Sequence, residues 1–316
     1  MFPCSKIAPD IVSPSHKLSH SERSLWGPFC VRSLDIEWGQ GHRQLLIIMA
    51  SKEGMQRWTG RVALVTGASS GIGQATARAL ARHGMRVVGC ARNIKPIEDD
   101  AQMLSGDSTV TGSLHAIKCN LMQEDEILAM FAKIRETFGG VDVCISNAGF
   151  SDSGSLSSQL TVLNGDAAKW RGIFDVNVLA VALCCREAVR QMEEKGATDG
   201  QLLVTNSMSG HRLTPKVNLF HAITKHAVSV LVEGIRRELR EKKSHIRIAQ
   251  ISPGIVDTRS QERMQAGFYP EEVNAFYKTL EALRPEDIAD NMLHVLQTPP
   301  HVQVHDILIR PTEQSF

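Results

Sequence analysis

From Arg57 onward, short apolar runs alternate with longer stretches of mixed polarity, and this alternation constrains the fold more than any other feature of the chain. The runs are rich in Val, Ile and Leu and almost continuously hydrophobic, which is typical of strands buried on both faces. They cover residues 61–67, 86–91, 114–119, 141–146, 201–206, 246–252 and 302–309. Strands that alternate with helices form βαβ units. The sequence therefore predicts an α/β fold with a single doubly wound parallel sheet and helices on both of its faces.

Helical stretches lie between several of these runs. They cover residues 72–84, 125–139, 168–196 and 221–243. The first one ends at Gly84, and glycine is a common helix stop. No internal repeat of fixed period is present in the sequence, and a domain usually spans about 100–200 residues. We therefore predict a single large domain over residues 55–316.

Residues 1–54 differ from the remainder of the chain. They are rich in Ser, Pro and His, and they lack a sustained hydrophobic period. Such a composition predicts a disordered N-terminal extension. Met49 and Met55 are alternative starts of translation, whereas a transit peptide is disfavoured because acidic residues such as Asp35 and Glu37 interrupt the segment.

Charge and composition exclude several classes of function. Lys and Arg number 35 against 34 Asp and Glu, so the chain has no surplus of positive charge to bind nucleic acid or anionic lipid. The longest suitable apolar run, residues 176–185, is far shorter than the ~20 residues of a membrane span. The 7 Cys residues form no CxxC pair or metal-ligand spacing, and several lie in apolar stretches, which favours a reducing, cytoplasmic compartment.

A glycine-rich turn follows the first predicted strand and opens the first predicted helix. The candidate phosphate-binding residues in it are Gly67, Ser69, Ser70, Gly71, Ile72 and Gly73. Glycine lacks a Cβ atom, so backbone N–H groups can approach a pyrophosphate, and the helix that follows directs its positive dipole end at the phosphates. The turn therefore predicts a dinucleotide site of the Rossmann type.

Two other interpretations of this turn remain open. One is a tight turn without a ligand. The other is the nucleophile elbow of serine hydrolases, because residues 67–71 also fit GxSxG with Ser69 as the nucleophile, although such an elbow normally follows a strand in the middle of the sheet. A Ser69→Ala variant distinguishes the hydrolase from the dinucleotide site, since a hydrolase would lose all activity.

The end of the second predicted strand indicates which dinucleotide binds. An NAD site has Asp or Glu about 20 residues beyond the glycine turn. Here Ala91 stands near that position, and Arg92 follows it. Arg92 can pair with a 2′-phosphate, which favours NADP(H) over NAD(H). The other interpretation is that Arg92 is a solvated loop charge.

Several short motifs occur in a fixed order along the chain. They are TGASSGIG at 66–73, SNAG at 146–149, DVNVLA at 175–180, NSMSGHR at 206–212, TK at 224–225 and ISPG at 251–254. With this set, residues 55–316 resemble the short-chain dehydrogenase/reductase family. Blocks such as MQRWTGRVALVTG, VVGCARN and RPTEQ are most similar to its vertebrate dehydrogenase/reductase member 11 group and the related insect farnesol dehydrogenases. The resemblance implies an NADP(H)-dependent enzyme of apolar alcohols and ketones, such as steroids and isoprenols.

The resemblance also implies roles for particular residues. Ser207 matches the serine that holds the substrate oxygen, Lys225 the lysine that binds the nicotinamide ribose, and Asn177 the asparagine of a water-linked proton path. Asn147 matches an asparagine beside the cofactor, and Pro253 begins the turn near the nicotinamide carboxamide. The other predicted cofactor contacts are Asn93, Asn120, Leu121, Ala148, Gly149, Gly254, Val256 and Thr258.

The sequence departs from the family at two of these positions. His221 stands where the family has the catalytic tyrosine of YxxxK, so His221 and Lys225 share one helix face. A neighbouring Lys⁺ lowers the histidine pKa, and neutral imidazole is a competent base for alcohol oxidation but a poor acid for carbonyl reduction. The ring reaches less far than a phenol, by roughly 2 Å from covalent geometry. Asn120 replaces an aspartate that touches the adenine, and an amide can make a similar bond.

Two functions follow from these observations. The first is an NADP(H)-dependent oxidoreductase that interconverts an apolar alcohol and its carbonyl, with Asn177, Ser207, His221 and Lys225 as catalytic residues. The second is an NADP(H)-binding pseudoenzyme or interaction protein with little turnover. The resemblance further implies a homodimer or homotetramer. Residues 258–284 are interpreted as a substrate lid, whose apolar wall would come from Phe268, Tyr269, Phe276 and Tyr277.

Overall fold

The computed structural model describes residues 54–149, 162–163, 165–197, 199–213, 219–258 and 281–314. Within them, the strands are β1 (Val62–Thr66), β2 (Arg86–Ala91), β3 (Ser113–Lys118), β4 (Val143–Ser146), β5 (Gly200–Thr205), β6 (Ile246–Pro253) and β7 (Asp306–Ile309). They form a seven-stranded sheet in the order β3-β2-β1-β4-β5-β6-β7, and every neighbouring pair is parallel. The predicted α/β architecture is confirmed.

The last strand is shorter than the sequence predicts. The apolar run covers 302–309, whereas β7 covers only Asp306–Ile309. The preceding residues serve other contacts: the Val302 carbonyl accepts from the Arg247 guanidinium at 2.7 Å, and the Gln303 side chain donates to the Ile248 carbonyl at 2.7 Å. These contacts hold the start of the run beside β6 without a continuous ladder.

The helices cover both predicted and unpredicted segments. They are α1 (Gly71–Arg82), α2 (Lys95–Ser105), α3 (Glu124–Phe138), α4 (Ala167–Phe174), α5 (Ala180–Glu194), α6 (Leu219–Glu241) and α7 (Pro285–Gln297). The stretch predicted as one helix over 168–196 is interrupted by a π-helical turn, Asp175–Leu179, which separates α4 from α5. The helices α2 and α7 lie outside the predicted helical stretches.

Each face of the sheet carries its own apolar layer. In β1, Val62 and Leu64 belong to one hydrophobic cluster, and Ala63 and Val65 belong to the other. The first cluster includes residues of α3, α5 and α6, and the second includes residues of α1, α2 and α7. Because both faces of the strands are covered, the strands need the continuous hydrophobic runs seen in the sequence.

The first described residues pack into the second of these layers. Met55 and Trp58 are almost fully buried, and the Trp58 indole Nε1 donates to the Leu296 carbonyl at 2.8 Å. Arg57 and Arg61 lie over the Trp58 ring, 4.9 and 4.3 Å from its centroid. The segment before β1 is therefore integrated into the packing. The predicted N-terminal extension, apart from Gly54, lies outside the described residues.

The described cysteines are packing residues. Cys90, Cys119, Cys144, Cys184 and Cys185 are buried and carry free thiols. Among the described residues, no group of three or more His, Cys, Asp and Glu side chains is arranged to hold a metal ion. In the same part of the chain, no helix is long and apolar enough to span a membrane.

The strand order indicates where a ligand is expected along the carboxyl edge of the sheet. From β1 the chain proceeds outward to β2 and β3, and then returns to form β4 on the other side of β1. Ligands of open α/β sheets bind beyond the carboxyl ends of the strands, at such a switch point. The candidate site is therefore expected where β1 and β4 end.

Candidate active site

The glycine-rich turn connects β1 to the first turn of α1. Ser70 has an extended backbone (φ −166°, ψ 164°) and makes no side-chain hydrogen bond that caps α1. Gly71 has φ +56°, a left-handed conformation that favours glycine. A Cβ atom on Gly71 would lie 3.0 Å from Cβ of Thr258, so the segment after β6 packs against this turn. The turn thus combines close backbone approach with a helix N-terminus, which is the arrangement that binds phosphate.

The end of β4 is fastened to the same turn. Thr66 Oγ1 accepts from the backbone N–H groups of Asn147 and Ala148, both at 3.0 Å. The Asn147 amide donates to the Thr66 carbonyl at 3.0 Å, and its Oδ1 accepts from Thr205 Oγ1 at 3.1 Å. A Cβ atom on Gly73 would collide with the Asn147 amide, so glycine is needed for α1 to approach β4. Asn147 therefore joins the ends of β1, β4 and β5.

The end of β2 lies next to the turn, and β3 lies beyond β2 in the sheet. Arg92 and Asn93 follow β2 and are exposed, and Asn93 Oδ1 accepts from the Lys95 N–H at 3.2 Å. Within the described residues, no carboxylate forms an ion pair with Arg92. After β3, Asn120 Oδ1 accepts from Met122 N–H at 3.3 Å, which shapes the loop that also contains the half-buried Leu121.

The predicted substrate-binding serine lies just beyond β5. Ser207 is half-buried, and its Oγ accepts from Ser209 N–H at 3.1 Å at the start of a short 3-10 turn, Met208–Gly210. Later in this loop, His211 Nε2 lies 2.9 Å from an Asp306 carboxylate oxygen and 3.0 Å from Ser252 Oγ. These contacts hold the Ser207 loop to β6 and β7.

Two basic side chains of α6 lie on one face of the helix. Lys225 is only 6% exposed, and its Nζ donates to the Thr205 carbonyl at 2.7 Å. Burial lowers the pKa of Lys225 to about 8. Burial, together with the adjacent Lys225 charge, lowers the pKa of His221 to about 3. The imidazole of His221 is therefore neutral throughout the physiological pH range.

Asn177 lies in the π-helical turn between α4 and α5. It is 1% exposed, and its Nδ2 donates to Thr224 Oγ1 at 3.1 Å, while Thr224 Oγ1 donates to the His221 carbonyl at 2.8 Å. A Cβ atom on Gly149 would lie 3.8 Å from Asn177 Oδ1. Asn177 thus connects the segment after β4 to the helix that carries His221. Single π-helical turns occur frequently at functional sites.

The segment after β6 continues from the sheet to the dinucleotide turn. Pro253 ends β6, and the Gly254 N–H donates to the Ile309 carbonyl at 2.7 Å. Val256 pairs with Leu283, and Thr258 contacts Gly71 as described above. The predicted lid residues 259–280, with Phe268, Tyr269, Phe276 and Tyr277, lie outside the described residues.

Several residues of this site escaped the sequence prediction. Thr66, Thr205, Thr224, His211 and Asp306 all make the contacts that hold predicted site residues in place. Thr66 and Thr224 each begin a recognised motif, and Thr205 directly precedes one, so their positions carried a local signal. The pairing of His211 with Asp306 joins residues 95 positions apart and has no local sequence signal.

The chain matches a family model for short chain dehydrogenases over residues 61–267. It therefore belongs to the short-chain dehydrogenase/reductase family, a family of oxidoreductases that use a nicotinamide dinucleotide. Human dehydrogenase/reductase SDR family member 11 is 46% identical over 265 residues, a match covering 84% of this chain and 99% of the human protein. Farnesol dehydrogenase of Aedes aegypti is 38% identical over 265 residues, covering 83% of this chain and 100% of the mosquito protein.

The predicted resemblance to these two groups is confirmed. Among solved structures, the alcohol dehydrogenase of the archaeon Thermococcus sibiricus, complexed with 5-hydroxy-NADP, is similar to this chain with a TM-score of 0.66. It is 27% identical, and the match covers 80% of this chain and 97% of the archaeal chain. Fold and family together agree with oxidoreduction between an alcohol and a carbonyl.

Proposed function

We propose that the protein is an NADP(H)-dependent oxidoreductase that interconverts an apolar alcohol, of steroid or isoprenol type, and its carbonyl compound. The observation that carries this proposal is the α1 N-terminus without a side-chain cap from Ser70, together with Arg92 after β2, a cation that has no carboxylate partner among the described residues. A phosphorylated dinucleotide fits this donor set, because both features attract phosphate. A relative named for farnesol and a neighbour complexed with an NADP derivative support the same assignment.

The dinucleotide would be held along the carboxyl edge of the sheet. The phosphate-binding turn 67–73 would hold the pyrophosphate and Arg92 the 2′-phosphate, with Asn93, Asn120 and Leu121 toward the adenosine. Asn147, Ala148 and Gly149, and then Pro253, Gly254, Val256 and Thr258, would line the nicotinamide end. When bound, the nicotinamide ring of NADP(H) donates or accepts the hydride.

The chain's own residues would orient the substrate and move its proton. Ser207 Oγ would hold the substrate oxygen, and an imidazole nitrogen of His221 would accept the proton of the alcohol hydroxyl. The pKa of His221, lowered to about 3, leaves the imidazole with no proton to give to a carbonyl oxygen, so its role is that of a base in alcohol oxidation, and the low pKa makes it a weak one. Lys225, at a pKa of about 8, is charged at neutral pH and able to bind ribose hydroxyls. Asn177, held in place by its contact with Thr224, would maintain the water-linked proton path.

A second candidate function is an NADP(H)-binding pseudoenzyme or interaction protein. The observation that favours it is His221 itself, whose ring is shorter than a phenol by roughly 2 Å. A catalytic group misplaced by about 1 Å can already slow a reaction about 100-fold. The two functions share the cofactor and differ only in turnover.

Turnover assays on His221 variants separate the two functions. We expect the protein to oxidise farnesol or a hydroxysteroid with NADP⁺, and His221→Phe to lower kcat by about 100-fold or more, because the base is lost. His226→Phe, at an exposed histidine five residues further along α6, is the control and should keep the activity. NADPH binding without turnover, with orders of magnitude gained in His221→Tyr, would establish the pseudoenzyme instead.

Three further assignments belong to this proposal. Residues 55–316 would form the catalytic domain, with the preceding residues as an extension that it does not need. The protein would assemble as a homodimer or homotetramer and act in the cytoplasm. Size-exclusion chromatography with light scattering tests the assembly, and a variant beginning at Met55 tests the extension.

A further inference from the structure

The C-terminal residues of the described chain contact two segments of the candidate active site. After β7, the Gln314 N–H donates to the Pro311 carbonyl at 3.1 Å and closes a turn. This turn buries Gln314, which is only 5% exposed. Because buried amide side chains are ordinarily hydrogen-bonded, the partners of Gln314 show which segments it holds.

One partner lies on the turn after β6. Oε1 of Gln314 accepts from the Ile255 N–H at 3.1 Å. The same oxygen occupies the position that a Cβ atom on Gly254 would take. Glycine at 254 therefore makes room for the carboxamide, and any larger residue there has to displace it.

The other partner lies in the loop after β5. Nε2 of Gln314 lies 2.8 Å from Sδ of Met208, which is itself 5% exposed. Met208 directly follows Ser207 and begins the short turn that the Ser207 hydroxyl caps. A single carboxamide thus joins the serine loop to the turn at the nicotinamide end of the site.

We propose that Gln314 is a positioning residue, which sets the position of Ser207 relative to the Pro253–Ile255 turn. The inference rests on the proposed function, in which Ser207 holds the substrate and the turn binds the nicotinamide end. Gln314 itself would contact neither ligand and would act through Met208 and Ile255. The phosphate-binding turn lies outside the contacts of its side chain.

Kinetics of Gln314→Ala test this role. Since displacement of a reacting group by about 1 Å can cost about 100-fold, we expect kcat to fall about tenfold or more. The Kd for NADPH should change less than about twofold, because the groups that hold the phosphates are untouched. An unchanged kcat, or a loss confined to NADPH binding, would overturn the proposal.

Gln303→Ala is the matched control. The Gln303 side chain also ties the C-terminal part of the chain to β6, through the Ile248 carbonyl at 2.7 Å, but nearer the amino end of the strand. The Gln303→Ala substitution removes a comparable hydrogen bond and leaves the contacts of the candidate site unchanged. If Gln303→Ala lowers kcat as much as Gln314→Ala, the effect is general destabilisation and the positioning role is refuted.

A double variant with Gly254→Ala supplies an independent check. The added methyl group would displace the same carboxamide that Gln314→Ala removes. If both substitutions break the same contacts, the double variant should be no more than about twofold slower than the slower single variant. Losses that multiply would show separate effects and contradict the proposal.

Amide hydrogen exchange of the ligand-free protein separates this inference from the proposed function. Gln314→Ala should accelerate exchange at Ile255 and in residues 208–211, and should leave β1 unchanged, whereas Gln303→Ala should not affect the two site segments. If the two variants show these exchange rates but the natural protein has no turnover, the oxidoreductase proposal fails while Gln314 still holds the two segments together. Unaltered exchange in Gln314→Ala overturns the inference whatever the turnover.

Discussion

The two ends of the sheet differ in how a buried carboxylate is used. At the amino end, the carboxylate of Asp142 pairs with two cations, while Arg247 lies against backbone carbonyls. At the carboxyl end, the cations of the candidate site lack carboxylate partners among the described residues. One end is therefore built for stability, and the other retains charge that an anionic ligand could neutralise.

The amino end is organised around Asp142, which directly precedes β4. Its carboxylate contacts Arg61 at 3.2 Å and Lys195 at 2.9 Å, and it accepts from the Val62 N–H at 2.9 Å. Arg61 also pairs with Asp199 at 2.9 Å. With Asp142 only 5% exposed, these partners offset the cost of removing the carboxylate from water.

At the carboxyl end, the cations of the candidate site, Lys225 and Arg92, have no carboxylate partner among the described residues. Lys225 is buried against a backbone carbonyl, and burial lowers its pKa to about 8, which means that its charge destabilises the folded state at neutral pH. Arg92 is exposed and has no ion-pair partner among the described residues. Such uncompensated groups cluster where function requires them. The comparison predicts that substitutions at the two ends affect stability and ligand binding separately.

The largest expected effect is on stability, from Asp142→Ala at the amino end. Removing the carboxylate leaves two cations and a buried N–H without their partner, so the free energy of unfolding should fall by about 3 kcal/mol. Urea unfolding measures this loss. NADPH affinity of the folded protein should stay within about twofold, because the site lies at the other end of the strands.

Asp199→Ala provides the matched control for this measurement. Asp199 is more exposed than Asp142 and shares Arg61 with it, so its loss should cost less than about 1 kcal/mol. If Asp142→Ala weakens NADPH binding as strongly as it weakens folding, the two ends are not independent.

The same contrast explains how much the sequence could predict. The strands were predictable because both faces of each are covered, and the glycine turn because backbone geometry requires glycine there. Helix α2 escaped because it buries only Ile97, Asp100 and Leu104, and the aspartate breaks the apolar pattern. Helix α7 does carry a sequence signal, because Pro285 is followed by acidic residues and a helical apolar period.

Side-chain contacts between segments that are distant along the chain could not be predicted from the sequence. The lowering of the His221 pKa to about 3 depends on how deeply α6 packs, and periodicity does not encode that depth. The presence of Lys225 four residues later predicted the direction of the shift but not its main cause, which is burial. The two Gln314 contacts join residues 59 and 106 positions apart and likewise have no local pattern.

An effect of intermediate size is expected on the stability of the protein at low pH, because of His221. Its pKa of about 3 in the folded protein lies below the ordinary value of 6.5, so only the unfolded state takes up this proton as the pH falls below about 6.5. Between pH 7 and pH 5 the protein should therefore lose about 2 kcal/mol of stability through this group. Unfolding titrations at the two pH values measure the loss.

Two variants isolate the contribution of His221 from that of the carboxylates. His221→Phe and His221→Tyr both remove the titrating imidazole, so each should be about 2 kcal/mol less sensitive to this pH change than the natural protein. Agreement between the two would exclude an effect of ring shape. Acid sensitivity equal to that of the natural protein would show that His221 is protonated, or accessible to protons, in the folded state.

The smallest expected effect concerns Arg92, and it tests whether an exposed cation at the carboxyl end binds the ligand. If this exposed cation pairs with the 2′-phosphate, Arg92→Ala should raise the Kd for NADPH about tenfold, equivalent to about 1.4 kcal/mol, and change the Kd for NADH less than about twofold. Fluorescence titrations with both dinucleotides measure the difference, and added salt should reduce the preference of the natural protein for NADPH. Lys95→Ala is the control, because this nearby cation already pairs with Asp99 at 2.7 Å. Equal weakening of NADPH and NADH in Arg92→Ala would mean that Arg92 does not recognise the extra phosphate, and that its lack of a carboxylate partner reflects only its exposure.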